Sequence, residues 1–162
     1  MTDTITKILV PVDFSPHAEH AFRYATTLAH RLGAKLALLH VVVDPFATGA
    51  WGAEVYVPNV PELLENLISD AERQLATLKE SAAALGLTAD TAVITGSPAN
   101  VIVEHAKDGG FDLIVMGTHG RTGLAHAVMG SIAERVVRKA PCPVLTLRGV
   151  EEPTAATKPA AA

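Results

Sequence analysis

The sequence has little of what usually stabilises small secreted domains or holds metal clusters. Its 162 residues include one cysteine, Cys142, so neither an intrachain disulfide nor a cysteine-based metal cluster can form. Aromatic residues make up only 4% of the chain, so the core must be built mainly from aliphatic side chains. Hydrophobic residues at 49% and charged residues at 19% are sufficient for one packed domain and exclude a disordered chain.

Long hydrophobic runs are also missing. The longest apolar stretch, 36–43, contains His40 and is far shorter than the roughly 20 residues that a membrane helix needs. The N-terminal residues 1–7 are polar, and Pro11 and Asp13 interrupt the apolar run that follows, which is not the pattern of a signal peptide. We therefore expect a soluble, cytoplasmic protein without membrane insertion.

Positive charge is scarce overall but concentrated locally. The chain has 13 Lys and Arg against 17 Asp and Glu, a net charge of −4, which argues against a nucleic-acid partner. Residues 113–148, however, carry five basic residues and a single acidic one, and six of the twelve glycines lie within 109–130. The net charge of the whole chain therefore does not reveal this basic, glycine-rich segment, whose local electrostatic field favours an anion.

Hydrophobic patterning predicts five strands that alternate with four helices. Two Ser-Pro pairs mark helix starts, at Ser15-Pro16 and Ser97-Pro98, because serine suits the N-cap and proline the first helical position. The predicted strands are 8–12, 36–43, 88–94, 111–116 and 144–147, and the predicted helices are 16–32, 61–85, 98–107 and 130–139.

This alternation predicts an α/β fold with an open, five-stranded, parallel sheet and helices on both faces, a three-layer flavodoxin-like arrangement. With the strand order 3-2-1-4-5, the order reverses between strands one and four, and ligands bind beyond the carboxyl ends at such a point. Asp13 and the loop from Gly117 follow these two strands. We predict one domain over 1–149 with a long loop at 44–60, and a disordered tail at 150–162.

The glycine-rich segment after the fourth strand has the chemistry of a phosphate site. Glycine lets backbone N–H groups approach a ligand, and a helix that begins at Gly130-Ser131 offers unpaired donors and the positive end of its dipole. The hydroxyls of Thr118 and Ser131 add donors, and Arg121 adds positive charge. A loop that uses glycine only for tight turns would look the same, so the segment alone leaves both interpretations open.

Three motifs in this order resemble the universal stress protein family. The pattern G-x2-G-x9-G-[ST] of its ATP-binding members is matched by Gly117, Gly120, Gly130 and Ser131. Residues 8–15 look like the first strand and turn of the family, and residues 140–145 resemble its last strand. The resemblance covers roughly residues 5–148, nearly the whole predicted domain.

The resemblance implies an adenine-nucleotide α-hydrolase-like fold with ATP as the ligand. Mg²⁺ or Mn²⁺ would be held mainly by the phosphates and water, with the Ser131 hydroxyl as a candidate further ligand. Asp13 would contact the ribose or adenine side of the nucleotide. The base pocket would be lined by Pro11, Val12, Val41 and Met116. The ribose and phosphates would be contacted by Gly117, Thr118, Gly120, Arg121, Gly130 and Ser131.

Some of these residues also have a purely structural interpretation. Val12, Val41 and Met116 are typical core residues, and the position of Asp13 between a buried strand and a helix suits either function or capping. His17 and His20 are interpreted as surface histidines at a helix start. The histidines of the glycine loop, at positions 119 and 126, are a weak metal signal, so no metal site made by the protein alone is predicted.

The last predicted strand is a candidate site of association between chains. It would lie at an edge of the sheet, and it carries no inward charge that would block pairing with another strand. It consists of Val144, Leu145, Thr146 and Leu147. In the family this edge pairs with its twofold mate, so the resemblance implies a homodimer with an isologous interface.

A nucleotide motif without an evident catalytic base favours a regulatory function. We expect an ATP-dependent module of a stress response that acts on an unidentified partner protein. A slow ATPase or an adenylyl or phosphoryl transferase is the alternative in which Asp13 or a loop histidine would act as acid or base. A nucleotide-independent dimeric scaffold is the third interpretation.

Overall fold

Strands and helices alternate along the chain, as the patterning predicts. The computed structural model describes residues 4–44, 59–119 and 129–149. Its elements are β1 (Lys7–Pro11), α1 (Pro16–Leu32), β2 (Lys35–Val42), α2 (Val60–Ala84), β3 (Ala89–Thr95), α3 (Pro98–Asp108), β4 (Leu113–Gly117), α4 (Ser131–Lys139) and β5 (Val144–Leu147). Part of the predicted long loop, 45–58, and the predicted tail, 150–162, lie outside the described residues.

The strands form one parallel sheet in the order β3-β2-β1-β4-β5, which confirms the predicted fold class and strand order. Because successive side chains of a strand point to opposite faces, each strand contributes to two cores. Ile8 and Leu38 pack in the layer of α1 and α2, whereas Leu9 and Ile114 pack in the layer of α3 and α4. Burial on both faces explains why the three central strands, β2, β1 and β4, are largely apolar runs.

Local signals set the ends of α1. The Ser15 Oγ accepts a hydrogen bond from the backbone N–H of Ala18 at 3.2 Å, which satisfies a donor of the first turn. Gly33 ends the helix with φ of +65°, a conformation that glycine adopts without strain. The capped start of α1 lies just beyond the carboxyl end of β1.

The start of the fourth strand was predicted too early, at residue 111 instead of Leu113. The Phe111 ring stacks on His105 with centroids 5.7 Å apart, and Asp112 uses its carboxylate to accept hydrogen bonds from Thr6 and Lys7. Phe111 and Asp112 thus make these side-chain contacts directly before the strand begins. Among the described residues, no helix is long and apolar enough to cross a membrane.

Candidate functional site

A cavity of about 530 Å³ lies at the carboxyl end of the sheet, where the strand order reverses between β1 and β4. Nine of the eleven predicted nucleotide contacts line it, namely Pro11, Val12, Asp13, Val41, Met116, Gly117, Thr118, Gly130 and Ser131. The other two, Gly120 and Arg121, lie outside the described residues. One cavity therefore brings together residues that lie in or directly beside four different elements, β1, β2, β4 and α4.

One side of the cavity is apolar. Val12 and Met116 are only 5% and 6% exposed, and Val41 is half-buried. Val12 is also tied to the neighbouring strand, because its N–H donates to the Leu39 carbonyl at 2.9 Å. These residues therefore pack in or against the core and also line the cavity, and their contact with a base stays a prediction.

Asp13 accepts hydrogen bonds within the fold and also lines the cavity. Its Oδ1 accepts hydrogen bonds from the N–H of Ser15 at 3.1 Å and from the Ser15 hydroxyl at 2.6 Å. The same hydroxyl caps α1, so the carboxylate is oriented by the first turn of that helix. A fixed carboxylate at a cavity edge is suited to accept hydrogen bonds from a ligand.

Another part of the cavity wall is built by close backbone contact. The N–H of Gly130 donates to the Thr118 carbonyl at 2.7 Å, and a Cβ at Gly130 would lie 2.9 Å from that oxygen. A Cβ at Gly117 would lie 3.1 Å from the His17 carbonyl. The exposed Ser131 then begins α4 without a side-chain cap, which leaves the N–H groups of its first turn for an anion.

Residues 4–148 match the universal stress protein family. The chain is 37% identical to the universal stress protein MJ0531 of Methanocaldococcus jannaschii, over 88% of this chain and 81% of the relative. It is 35% identical to the universal stress protein YxiE of Bacillus subtilis, over 88% of this chain and 98% of the relative. The chain belongs to the universal stress protein family.

Solved structures of the family have the same fold. The structure of the M. jannaschii protein MJ0577 superposes with a TM-score of 0.80 at 29% identity, over 92% of this chain and 99% of that one. A universal stress protein in complex with cAMP has a TM-score of 0.66 at 21% identity, over 90% and 99%. The Archaeoglobus fulgidus protein in complex with dAMP has 0.63 at 23%, over 88% and 98%.

Two ring residues of the cavity in this universal stress protein were not predicted. Phe14 has φ of +61°, and its ring stacks on His40 with centroids 4.6 Å apart. The His40 Nδ1 lies 2.8 Å from the Val12 carbonyl, and because a carbonyl only accepts, this nitrogen carries the hydrogen. A histidine inside the apolar run 36–43 is the one sequence signal that points to this pair.

Helix α2 supplies a third wall that the sequence did not reveal. Leu67, Asp70, Ala71 and Gln74 line the cavity, and only the middle and end of α2 contribute fully buried residues to the core. The helix has 25 residues and is about 37 Å long, so it extends beyond the strands it covers. Its placement follows from packing on β2 and β3, which no local motif encodes.

The interpretation of His17 as a surface histidine is wrong. Its Nδ1 is buried, its ring packs against Gly149, and its backbone carbonyl touches Gly117. Its ring centroid lies 5.9 Å from that of His119, which lines the cavity. His20 is half-buried. Within the three described ranges, no three His, Cys, Asp or Glu side chains are grouped to hold a metal ion.

Proposed function

We propose that this universal stress protein is a regulatory module that binds ATP in the cavity at the carboxyl end of the sheet. The observation that carries the proposal is the division of one cavity into an apolar side and a side with backbone N–H donors and hydroxyls. A nucleotide has the same two parts, a flat base and a charged phosphate chain. The relatives in complex with cAMP and dAMP support an adenine nucleotide.

The dimensions of the cavity fit this ligand. Its volume of about 530 Å³ lies within the roughly 300–1,000 Å³ typical of small-molecule sites. We assign the base to Val12, Val41 and Met116, and the ribose to Asp13. The phosphates are assigned to Thr118 and to the start of α4, where the helix dipole favours negative charge.

Two features favour the triphosphate. The glycine and serine spacing matches the ATP-binding members of the family, and residues 113–148 carry five basic residues against one acidic residue. A divalent ion bound with the nucleotide would neutralise phosphate charge, with the Ser131 hydroxyl as the protein oxygen assigned to it. Ser131 is exposed and begins α4, so its hydroxyl is accessible.

A regulatory role fits the distribution of acidic groups. Asp13 and Asp70 are the acidic side chains among the described residues that line the cavity. Neither lies on β4 or α4, to which we assign the phosphates, and Asp13 already accepts two hydrogen bonds from Ser15. Hydrolysis needs a group that positions water at the terminal phosphate. We therefore expect ATP to change the binding of a partner protein without rapid turnover.

The proposal includes a homodimer through β5, an edge strand of the sheet. The carbonyl of Pro143 accepts a hydrogen bond from Ile114 in β4, and that of Leu147 accepts one from Thr118 directly after it. The backbone groups of Val144 and Thr146 therefore point away from β4. Thr146→Pro would remove an outward N–H donor and spare the ladder with β4. We expect sedimentation velocity to show a dimer for the parent protein and a monomer for the variant. A parent monomer at tens of micromolar would contradict the dimer.

The test of nucleotide binding is calorimetric titration of ATP into protein that has been stripped of nucleotide. Ser131→Asp should weaken binding at least tenfold, because a carboxylate at the first position of α4 repels the phosphates. An acidic residue in the first turn of a helix is favourable for the helix, so lost binding would not result from unfolding.

The matched control is Ser81→Asp, which adds the same charge to an exposed position of α2 that does not line the cavity. This variant should bind ATP as the parent protein does. Absence of binding to the parent at millimolar ATP would overturn the proposal, and so would equal binding by both variants and the parent.

A further inference from the structure

A polar side chain interrupts the apolar strand β2 beside the cavity. Residues 36–42 of this strand are apolar except for His40, which is half-buried and lines the cavity. It lies on the same face of the sheet as Leu36 and Leu38, which pack in the layer of α1 and α2. A further leucine would pack at this position without requiring a hydrogen-bond partner. The imidazole is therefore explained by the contacts that it makes.

The ring of His40 contacts both residues that flank Asp13. Its Nδ1–H donates to the Val12 carbonyl over 2.8 Å, and this carbonyl belongs to the same planar peptide group as the Asp13 N–H. The ring also stacks on Phe14, with centroids 4.6 Å apart and an angle of 26° between the ring planes. Because the two contacts lie on either side of Asp13 in the chain, together they restrict how its side chain leaves the backbone.

The backbone at Phe14 needs such support. Its φ of +61° lies in the left-handed region, which bulky side chains rarely adopt. Among the described residues other than glycine, positive φ is otherwise found at Asn59, and asparagine tolerates this conformation. An unfavourable backbone conformation persists only where the surrounding structure over-determines it, and such residues are common at ligand sites. The stack on His40 is one contact that holds Phe14 in this conformation.

We propose that His40 is a positioning residue for the nucleotide, because it holds the turn 12–15 in the conformation that presents the Asp13 carboxylate to the ribose. The inference rests on the proposed function, in which Asp13 contacts the ribose. Asp13, Phe14 and His40 all line the cavity. The N–H and the hydroxyl of Ser15 orient the Asp13 Oδ1 from the side of α1. His40 thus sets the backbone of the turn, and Ser15 sets the direction of the carboxylate.

The test is a double-mutant cycle on ATP affinity, measured by calorimetry with the full chain stripped of nucleotide. His40→Leu should weaken binding about fivefold, the effect of losing one hydrogen bond of ordinary net strength. In the Asp13→Asn background, His40→Leu should change the affinity by less than about twofold, because its effect is transmitted through the Asp13 carboxylate. Additive effects would overturn the proposal and show that His40 acts on the nucleotide independently of Asp13.

Rescue by a conservative variant separates the hydrogen bond from a general effect on stability. The amide of His40→Asn offers an N–H donor near the position of the imidazole Nδ1, so this variant should bind ATP at least twofold more tightly than His40→Leu. Equal affinities of these two variants would contradict the proposal. The matched control is His105→Leu, since His105 is also half-buried and stacks on a phenylalanine, Phe111, at the amino end of the sheet. This control should bind ATP as the parent protein does.

Amide hydrogen exchange measures the turn itself without nucleotide. The Ser15 N–H, which donates to the Asp13 Oδ1, should exchange about tenfold faster in His40→Leu than in the parent protein. An unchanged exchange rate would overturn the proposal. His40→Phe keeps a ring at this position but lacks the donor, so it replaces His40→Leu in every measurement if that variant does not fold.

The calorimetric results distinguish this inference from the proposed function. Absence of ATP binding to the parent protein would overturn both. A parent protein that binds ATP, together with a folded His40→Leu of equal affinity, would overturn the role of His40 alone.

Discussion

The two ends of the sheet differ in how completely their polar groups are paired. At the amino end, the Asp112 carboxylate accepts hydrogen bonds from the N–H and hydroxyl of Thr6 and from the N–H of Lys7. The Lys7 ammonium donates to the Gly109 carbonyl at 2.6 Å and lies over the Phe111 ring. At the carboxyl end, two imidazole nitrogens are buried and unsatisfied beside the cavity.

We interpret this difference as a division between bonds that stabilise the fold at one end of the sheet and the proposed ligand site at the other. The amino end connects the start of β1 to the turn before β4, so its bonds stabilise the fold without a ligand. The carboxyl end contains close backbone contacts, an uncapped helix start and unpaired nitrogens, which are costly unless a ligand satisfies them. Substitutions at the two ends should therefore have different consequences.

The largest effect is expected from a residue on which both ends depend. Ile114 in β4 is fully buried, and Ile114→Ala should lower the free energy of unfolding by about 2–5 kcal/mol through lost burial and the space that the removed side chain leaves. Urea denaturation measures this change. The distinction between the ends should disappear in this variant, because the core beneath both is weakened. A loss below about 1 kcal/mol would contradict this expectation and show that the side chains of the α3 and α4 layer move to fill the space left by the Ile114 side chain.

A selective effect at the carboxyl end is expected from Asp13→Asn. The amide oxygen can still accept the two hydrogen bonds from Ser15, so stability should change by no more than about 0.5 kcal/mol. The loss of charge should weaken ATP binding about tenfold, measured by calorimetry. Lost stability with unchanged affinity would assign Asp13 to capping alone.

The opposite pattern is expected at the amino end from Asp112→Asn. Hydrogen bonds from the Thr6 N–H, the Thr6 hydroxyl and the Lys7 N–H lower the pKa of the Asp112 carboxyl below its ordinary value of 3.8. Its stabilising contribution is therefore complete above that value and is lost as the pH falls through the lowered pKa. Asp112→Asn should reduce stability at neutral pH and flatten the acid limb of the stability profile, measured by urea denaturation below about pH 5.

ATP binding is the control for this variant, since Asp112 lies at the end of the sheet away from the cavity. ATP affinity that is unchanged in Asp112→Asn and reduced in Asp13→Asn would support the assignment of nucleotide binding to the carboxyl end alone. A parallel loss of affinity in both variants would contradict it.

The smallest effect concerns the reactivity of Cys142. Burial, and to a smaller extent the negative charge of Asp112, raises the pKa of this thiol above 9.0. At pH 8 the thiolate fraction is thus lower than in free cysteine, and alkylation by iodoacetamide should be slower. Asp112→Asn should accelerate the reaction slightly by removing the charge. A rate equal to that of an unfolded control would contradict the protection.

Residues with strong local signals were the ones that the sequence predicted well. Ser15 caps the start of α1 and Gly33 its end, as expected, and the glycine pattern identified Gly130 as the residue at the start of α4. The contact of Gly130 with the Thr118 carbonyl was not predicted, because it depends on the close approach of two backbone segments. The assignments to base, ribose and phosphates remain predictions that the titrations test.

The sequence by itself determined the alternation of strands and helices, the order of the motifs and thereby the family. Capping residues and continuous apolar runs act over a few neighbours and are readable in one dimension. Only the tertiary structure decided that α2 forms a wall of the cavity, that Phe14 stacks on His40, and that His17 meets His119. These contacts join residues between 26 and 102 positions apart or depend on packing between layers, and sequence spacing does not encode such distances.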